Sequence, residues 1–472
     1  MTRNPTLAFG AWLATAPRDW PDAAVRAARD AFLDGIAVTV PGAADPAART
    51  IFETVRGWGS GPAAAIGFGT GLAAPWAALV NGTAAHALDF DDNFDPPKAH
   101  ATAVLVPAIL ALGEQEGAPG ADCIDAYIAG LQIMGRTGQG VNPPHRNRGW
   151  HATATLGAIG AAAACARLLR LPTQMAAHAL SLATSMAGGF MSQFGTQAKP
   201  LHAGLAAKAG VIAASLARDG LTAGLGTFDG PTGMNRLMVG PDYEQLRDGL
   251  TRIEHGQNLR FETESVGDPL LILSSGLKVK RFPNCGSAHR AMDGLLALRE
   301  AHGFAAEEVA EVNVRYPAVH NANLMYGDPR DAAQAKFSLE YALAVLLLQG
   351  NCTLADFAGD APLRPEVRAL YPRIRRHPVD RSEGEYPTRV EVVLAGGRRL
   401  ETAVRMPAGS IDAPFTPEQY RAKFAGCVAG LLSPAEADAL YRAIGALPRL
   451  RDIGELTAAL RIPFALERED SQ

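Results

Sequence analysis

Residues 81–107 read NGTAAHALDFDDNFDPPKAHATAVLVP, and the interpretation of the whole chain starts from them. A helix-like apolar run leads into four aspartates, Asp89, Asp91, Asp92 and Asp95, followed by two prolines, a lysine, a histidine and a second apolar run. Buried carboxylates need partners, because an unpaired charge inside a protein is unfavourable. The stretch is therefore either a solvated surface loop or a site that the flanking helices hold in place.

The composition of the 472-residue chain excludes several classes of protein. Hydrophobic residues make up 48% and charged residues 19%, which allows large cores in two or three domains of about 150 residues each. The net charge is −4 and there is no basic stripe, so we expect no nucleic-acid partner. The five cysteines form no CxxC pair, which disfavours a disulfide framework or a zinc site and favours a reducing cytoplasm.

No segment is typical of a signal peptide or a membrane span. The N-terminal residues MTRNPTLAFGAWL lack a charged start followed by a long apolar core and a small-residue cleavage site. The alanine-rich run at residues 153–166 is too short to cross a bilayer. We therefore expect no membrane partner.

Apolar residues recur at three- and four-residue spacings through most of residues 6–221, which predicts helices. The predicted helices are residues 21–40, 45–58, 76–87, 101–115, 122–138, 154–169, 173–187 and 201–219. Alanine and glycine dominate this half of the chain. We therefore expect these helices to pack closely through small side chains.

From residue 271 the pattern becomes mixed. It predicts strands at 276–281 and 308–316, helices at 287–302 and 334–348, and a hairpin of 388–394 with 399–404 around Ala395-Gly396-Gly397. Residues 416–460 return to a helical pattern. The predicted fold class is mainly α: a large all-helical domain (residues 1–267, joined by 406–472) and a smaller α+β domain (residues 268–405).

Basic side chains stand at or near three predicted helix starts. His100 precedes one apolar run, His151 precedes another, and Lys199 and His202 open a third. Helix N-termini present free N–H groups and favour anions. Each side chain alone also fits a helix cap or a buried hydrogen-bonding group, but their joint occurrence predicts a carboxylate pocket with imidazoles and an ammonium for proton transfer.

A fourth segment, KVKRFPNCGSAHR at residues 278–290, carries Lys280 at a predicted strand end and Cys285 in a turn. Lys280 also fits a surface charge. A lone cysteine is more often a small buried side chain than a nucleophile, and no local Cys–His pattern activates this one.

The spelling DDNFD at residues 91–95 also matches DDxxD, with which helical isoprenoid synthases hold magnesium diphosphate. Carboxylates one turn apart on a helix share magnesium ions. However, Pro96 and Pro97 follow at once, and no second aspartate-rich motif appears downstream. The glycines of residues 220–233 follow no predicted strand, so a dinucleotide or P-loop site is weaker still.

Taken together, the motifs resemble the MmgE/PrpD family, which includes 2-methylcitrate dehydratase, cis-aconitate decarboxylase and iminodisuccinate epimerase. The matching segments run in family order across nearly the whole chain. They are residues 81–92, the His100 segment, GWHATATLGAIGAAAA (149–164), KPLHAGLAAKAG (199–210), KRFPNCGSAHRAMD (280–293), KFSLEYALAVLLLQG (336–350) and YPTRVEVVLAGGR (386–398).

The resemblance implies a homodimer in which the α+β domain is a lid on the helical domain. It also implies chemistry on small di- or tricarboxylates with no metal and no organic cofactor. By position, the family's site residues correspond here to Asp89, Asn93, His100, His151, Lys199 and Lys280, with Tyr326 a looser candidate. We count His202 and Cys285 with Asn93, Lys280 and Tyr326 as candidate substrate-binding residues.

The chain departs from the family at three points. Asn93 stands where the family often has threonine. The segment before His100 is one residue longer than in cis-aconitate decarboxylase, and Ala101 replaces the usual proline. Cys285 stands where that decarboxylase has a histidine, which counts against decarboxylation because a proton donor differs.

The family's reactions share one step, in which a proton leaves or joins a carbon next to a carboxylate. We expect His151 or His100 to act as base and the other as acid, Asp89 to orient one imidazole and Lys199 to bind a substrate carboxylate. A hydro-lyase resembling 2-methylcitrate dehydratase is the first expectation, with an epimerase or a decarboxylase as alternatives. A magnesium-dependent isoprenoid synthase and a non-catalytic carboxylate-binding protein are the remote ones.

Overall fold

The computed structural model describes residues 4–463, which divide into two compact units. The helical unit comprises the described residues up to Ala87, then Asp91–Leu277, and those from Pro417 onward. The α+β unit comprises Leu88–Phe90 and Lys278–Thr416. The predicted fold class, mainly α with a smaller α+β part, is confirmed.

Up to residue 277, with long connections at residues 219–242 and 249–270, the helical unit is built mainly from α-helices. They are α1 (Pro5–Thr15), α2 (Asp22–Gly42), α3 (Pro46–Val55), α4 (Ala74–Ala87), α5 (Thr102–Glu116), α6 (Gly120–Gln139), α7 (Pro144–Asn147), α8 (Ala152–Leu168), α9 (Thr173–Thr184), α10 (Ala198–Arg218), α11 (Tyr243–Asp248) and α12 (Leu271–Ser274). Every residue of α8 is buried, and α8 packs against α5, α6, α9 and α10. This helix is the centre of the core.

The predicted close packing through small side chains is confirmed where α4 crosses α10. A Cβ added to Gly82 of α4 would lie 2.9 Å from the Cα of Gly204 in α10. A Cβ on Gly204 would lie 2.2 Å from the carbonyl oxygen of Leu79. Since van der Waals contact needs more than 3 Å, only glycine fits at either position at this helix separation.

The helical unit also contains a short antiparallel hairpin that the sequence did not predict. Strand β1 (Ser60–Ala65) pairs with β2 (Thr70–Leu72). The Asn81 side chain bonds β1 and the residue after it, donating to the Ala64 carbonyl at 2.8 Å and accepting from the Ile66 N–H at 2.9 Å. The hairpin is thereby fixed to α4.

The α+β unit has one four-stranded sheet in the order β4-β3-β5-β6. Its elements are α13 (His289–His302), β3 (Val309–Pro317), α14 (Ala332–Ala335), α15 (Leu339–Gln349), α16 (Pro365–Arg368), β4 (Ile374–Val379), β5 (Thr388–Leu394) and β6 (Arg399–Val404). The β3–β4 pair is parallel, and the β3–β5 and β5–β6 pairs are antiparallel. Helix α13 packs on β5 and β6 and also contacts α15.

Two strand predictions need correction. Residues 276–281 form no strand, because Val279 makes a single backbone bond with Gly409, 2.9 Å long, and no ladder follows. In contrast, β4 was not predicted. Its sequence IRRHPV combines two arginines, a histidine and a proline at a sheet edge, which hides the usual apolar alternation.

The C-terminal helices return to the helical unit. They are α17 (Pro417–Val428), α18 (Pro434–Gly445) and α19 (Gly454–Thr457). Helix α17 packs on α2, where Lys423 pairs with the buried Asp34 at 2.6 Å. Ser433 is the N-cap residue of α18. Its side chain accepts the Glu436 N–H, and the Glu436 carboxylate accepts the Ser433 N–H in return.

One described helix, α10, is long and apolar enough to cross a bilayer. However, 67% of its most apolar window is buried inside the protein, mainly against α4 and α8. Such burial is typical of a core helix.

We predict that Gly204→Ala lowers the stability of the helical unit by about 1–3 kcal/mol or more, because its Cβ would meet backbone and force α4 and α10 apart. Calorimetry should show a lower Tm. The matched control is Gly426→Ala in α17, where a Cβ meets nothing within 4 Å and a helical alanine should be neutral or stabilising. Equal Tm values for the two variants would contradict the close crossing.

Candidate active site

Two imidazoles share one buried carboxylate at the end of α4. His86 lies in the last turn of α4, and its Nδ1 is 2.8 Å from Asp91 Oδ2. The His100 Nδ1 lies 3.3 Å from the same oxygen, and the two imidazole centroids are 4.6 Å apart. Asp91 is fully buried, so it is the group that holds these two rings together.

The aspartate-rich stretch is held in place rather than solvated. The Asn142 amide donates to the Pro97 carbonyl at 2.8 Å, and the Gln257 amide donates to the carbonyls of Asp95 and Pro96 at 3.0 Å. The backbone N–H of His100 donates to Thr153 Oγ1 in α8 at 3.1 Å. These bonds fix the loop that connects α4 to α5.

The start of α8 supplies a third imidazole and α10 a fourth. His151 is the N-cap residue of α8, and its backbone N–H donates to the Gly189 carbonyl at 3.0 Å. Its Nδ1 lies 2.9 Å from Nδ1 of His202, which belongs to α10. Helix α10 begins at Ala198, so Lys199 and His202 lie within its first turns rather than before it.

These four side chains form what we call the histidine row: His100, His86, His151 and His202. Their successive ring centroids are 4.6, 5.8 and 5.2 Å apart. Phe194 packs edge-on against His151 at 4.9 Å, and the buried Lys199 ammonium lies 5.6 Å above the Phe194 ring. The helical unit therefore brings four of the predicted site residues together: His100, His151, Lys199 and His202.

Burial sets the charge of the Asp91 end of the row. It lowers the pKa of His86 to about 3, and the charges of Lys199 and His100 act in the same direction while Asp91 opposes them. Burial alone would raise the pKa of Asp91, but His86 and His100 lower it well below its usual range. Asp91 is thus an anion that accepts N–H bonds, and the buried His86 Nε2 has no hydrogen-bond partner among the described residues.

The two imidazoles at the other end of the row, His151 and His202, also have lowered pKa values. Burial, followed by the charges of His86, Lys199, His202 and His100, holds the pKa of His151 well below its usual value. Burial and the Lys199 charge lower the pKa of His202. Neutral imidazoles carry one N–H and one lone pair each, so the row can both give and accept protons.

Asp92 faces away from the histidines. Its carboxyl accepts the Thr102 N–H at 3.2 Å and bonds the Thr102 hydroxyl, which lies 2.7 Å from the Tyr127 hydroxyl. Burial raises the pKa of Asp92 to about 7, with the Asp34 and Asp91 charges adding to the rise and the Thr102 bonds opposing it. Asp92 ties the aspartate stretch to the first turn of α5.

Four other predicted site residues lie in the α+β unit. The buried Lys280 ammonium donates to the Asp89 backbone carbonyl at 2.7 Å and lies 3.2 Å from the Asp89 carboxylate. The Cys285 N–H donates to the Lys336 carbonyl at 2.9 Å, and the Tyr326 N–H donates to the Phe337 carbonyl at 3.3 Å. Asn93 is half-buried in the helical unit, beside the Phe94–Ala99 bridge.

Sequence reasoning missed His86 and the role of Asp91. It expected Asp89 to orient an imidazole, whereas the structure places Asp91 against both His86 and His100. The available signal was the five-residue spacing of His86 and Asp91 across a helix end. A histidine inside an alanine-rich run did not stand out as a candidate.

The interpretation of residues 91–95 as a magnesium motif is not supported by the geometry. These residues lie between α4 and α5 and are not helical. Asp91 faces histidines and Asp92 faces Thr102, so the two carboxylates do not share one helix face. The physical basis for an isoprenoid synthase site is therefore missing here.

Two family models match this chain. The family model for the MmgE/PrpD N-terminal domain matches residues 9–246, and that for the MmgE/PrpD C-terminal domain matches residues 282–447. The chain belongs to the MmgE/PrpD family. The matched segments include all residues of the histidine row, together with Asp91 and Lys199.

Similar MmgE/PrpD proteins include cis-aconitate decarboxylases from animals and fungi. The Mus musculus enzyme is 27% identical over 405 residues, covering 82% of this chain and 78% of the relative. The Homo sapiens enzyme is 27% identical over 404 residues, with 82% and 79% coverage. The Aspergillus terreus enzyme is 25% identical over 469 residues, with 94% and 93% coverage. All three carry the name cis-aconitate decarboxylase, so the comparison does not specifically support the expected 2-methylcitrate dehydratase.

We predict a pH-dependent stability difference between Asp92→Asn and the parent protein. A carboxyl whose folded pKa is raised contributes stability below its unfolded pKa and loses it as pH rises through about 7. Asparagine stays neutral and can keep both Thr102 bonds. The variant's Tm relative to the parent should therefore increase from pH 5 to pH 8.

The control for this experiment is Asp19→Asn, which changes an exposed carboxyl. Its Tm relative to the parent should be the same at both pH values. If the Tm of Asp92→Asn relative to the parent is also the same at both pH values, Asp92 does not have the raised pKa.

Proposed function

We propose that this MmgE/PrpD protein is a lyase that moves a proton at the carbon next to a carboxylate in a small di- or tricarboxylate. The observation that supports this most directly is the histidine row, with anionic Asp91 at one end and Lys199 beside the other. Imidazole, carboxylate and ammonium suffice for general acid–base catalysis and for binding an anion. We therefore expect activity without an added metal or organic cofactor.

The two ends of the row suit different proton transfers. The Asp91 anion lies 3.3 Å from His100 Nδ1, so it stabilises the imidazolium that forms when His100 takes a proton from the substrate. Burial keeps its neighbour His86 neutral. The Lys199 cation disfavours a positive charge on His151, so a proton on His151 is readily given away. We assign His100 as base and His151 as acid.

Lys199 is the proposed binding group for a substrate carboxylate. It is a buried cation, and the amino-terminal end of α8 beside His151 adds favourable N–H dipoles for an anion. A bound carboxylate would offset the Lys199 charge that lowers the histidine pKa values. Substrate binding would thereby raise the pKa values of His151 and His202 towards the pH at which the enzyme works.

The relatives support an unsaturated tricarboxylate of the cis-aconitate type as first substrate and decarboxylation as first reaction, since that is the activity their names print. Dehydration of a hydroxylated tricarboxylate such as 2-methylcitrate is the second candidate. Cys285 favours this second candidate, because it stands where cis-aconitate decarboxylase has a histidine. A homodimer in the cytoplasm stays a prediction.

We predict turnover of one substrate when the protein is incubated in deuterated water with cis-aconitate, 2-methylcitrate, citrate or iminodisuccinate and followed by NMR. Loss of carbon dioxide identifies a decarboxylase, loss of water a dehydratase, and deuterium uptake alone an epimerase. His151→Ala should lower kcat by about a hundredfold or more if it is the acid. Binding without turnover of any substrate would instead indicate a non-catalytic carboxylate-binding protein.

We predict that Lys199→Met raises KM by about 10- to 100-fold, which corresponds to the loss of one charged hydrogen bond of about 1.5–3 kcal/mol. The ammonium is replaced by an apolar chain of similar length, so the packing on Phe194 is kept. Lys208→Met, on the same helix with its ammonium over Trp76, is the matched control and should leave KM unchanged. An unchanged KM in Lys199→Met would refute the binding role.

A further inference from the structure

The contact between His151 and His202 has a consequence for the direction of proton transfer. Their Nδ1 atoms are 2.9 Å apart, and both side chains are buried. A hydrogen bond between two imidazole nitrogens holds one proton, so one ring donates and the other must offer a lone pair. The pair therefore has two tautomeric arrangements. If His202 donates, His151 carries its proton on Nε2 and can act as an acid there; if His151 donates, its Nε2 has a lone pair and can act as a base.

We propose that His202 is a positioning residue that supplies the Nδ1 proton of this bond and so sets His151 as the acid. The inference rests on the proposed function and goes beyond it by giving His202 a role other than substrate binding. With the His151 Nδ1 occupied as acceptor, the proton of neutral His151 stands on Nε2. That nitrogen is then free to serve the substrate.

The acid role proposed for His151 selects this arrangement over the reverse. The charged and titratable groups that face His151 are His86 from α4, His100 from the aspartate stretch, and Lys199 and His202 from α10. Because the Nδ1 of His151 is bonded to His202, only the Nε2 of His151 can give a proton to a substrate, so His202 must be the donor in their bond.

Backbone packing holds the pair in register. The His151 N–H is fixed to the Gly189 carbonyl, and a Cβ on Gly189 would lie 3.3 Å from the His202 ring and 2.6 Å from Ala154. Gly189 also has a φ of 150°, a backbone conformation that residues with a side chain rarely adopt. The segment before α10 can therefore lie directly against both histidines only because residue 189 is glycine.

In the proposed proton transfer, protons and charge are conserved on both rings. The substrate carbanion takes the His151 Nε2 proton with its electron pair and forms a C–H bond. The His202 Nδ1 proton moves to His151 Nδ1, and a proton from solvent is added at His202 Nε2. Both rings are neutral before and after this step. After product release, His151 Nε2 takes a proton from water, the Nδ1 proton returns from His151 to His202, and His202 Nε2 gives its proton to water, which restores the resting arrangement.

The test compares His202→Asn with the parent enzyme on its active substrate. Asparagine can still donate a hydrogen bond to His151 Nδ1 but cannot pass a proton on. We expect kcat to fall by about tenfold or more with KM nearly unchanged, and imidazole in the buffer to restore part of the rate of His202→Ala. His302→Asn, at an exposed histidine, is the control and should match the parent.

A second measurement does not depend on activity or on the variant folding. Nitrogen-15 NMR of the histidine rings in the parent protein should show His151 protonated at Nε2 and His202 at Nδ1. The opposite tautomers would overturn the proposal, as would an unchanged kcat in a folded His202→Asn. If no substrate is turned over, the proposed function fails separately, while the NMR result still decides the pairing.

Discussion

The close crossing of α4 and α10 is the constraint on which the site depends. Gly82 and Gly204 let the two backbones approach to a distance at which a Cβ would meet atoms at 2.9 and 2.2 Å. His86 follows Gly82 by one helical turn on α4, and His202 precedes Gly204 by two residues on α10. His151 lies between these two rings, with centroids 5.8 Å from His86 and 5.2 Å from His202, so a wider crossing would break at least one of these contacts. The glycines thus set the spacing of the histidine row although neither has a side chain.

The second constraint is the cost of burying charge. An ionised group in a protein interior is stable only with partners, so a buried site cannot hold many charges of one sign. The row meets this limit with one anion, Asp91, and with imidazoles at His86 and His151 that burial keeps neutral, while Lys199 lies near the other end. We propose that an anionic substrate binds beside Lys199. The Lys199 charge that disfavours protonation of His151 and His202 would favour a substrate carboxylate.

Much of this could be predicted from sequence, and the failures have physical causes. Long helices were predictable because their apolar spacing extends over several turns, and the β5–β6 hairpin because a glycine turn joins two alternating strands. Strand β4 was not, since it contains a proline and charged residues at a sheet edge. Asp89 and Asp91 differ by two residues, and the loop backbone decides which one faces the imidazoles. The φ of 52° at Asp89 is part of that backbone, and no local sequence pattern specifies it.

The asymmetry of the row also bears on how one family can carry out different reactions. Decarboxylation leaves a carbanion that needs only a proton donor, whereas dehydration needs a base for the C–H proton and an acid for the departing hydroxyl. Epimerisation needs a donor and an acceptor on opposite faces of one carbon. In the function that we propose, a base beside Asp91 and an acid near Lys199 stand at the two ends of one row, so both roles are present in the same site. The reaction outcome would then depend on which end the reacting carbon meets, and hence on the groups that orient the substrate's other carboxylates.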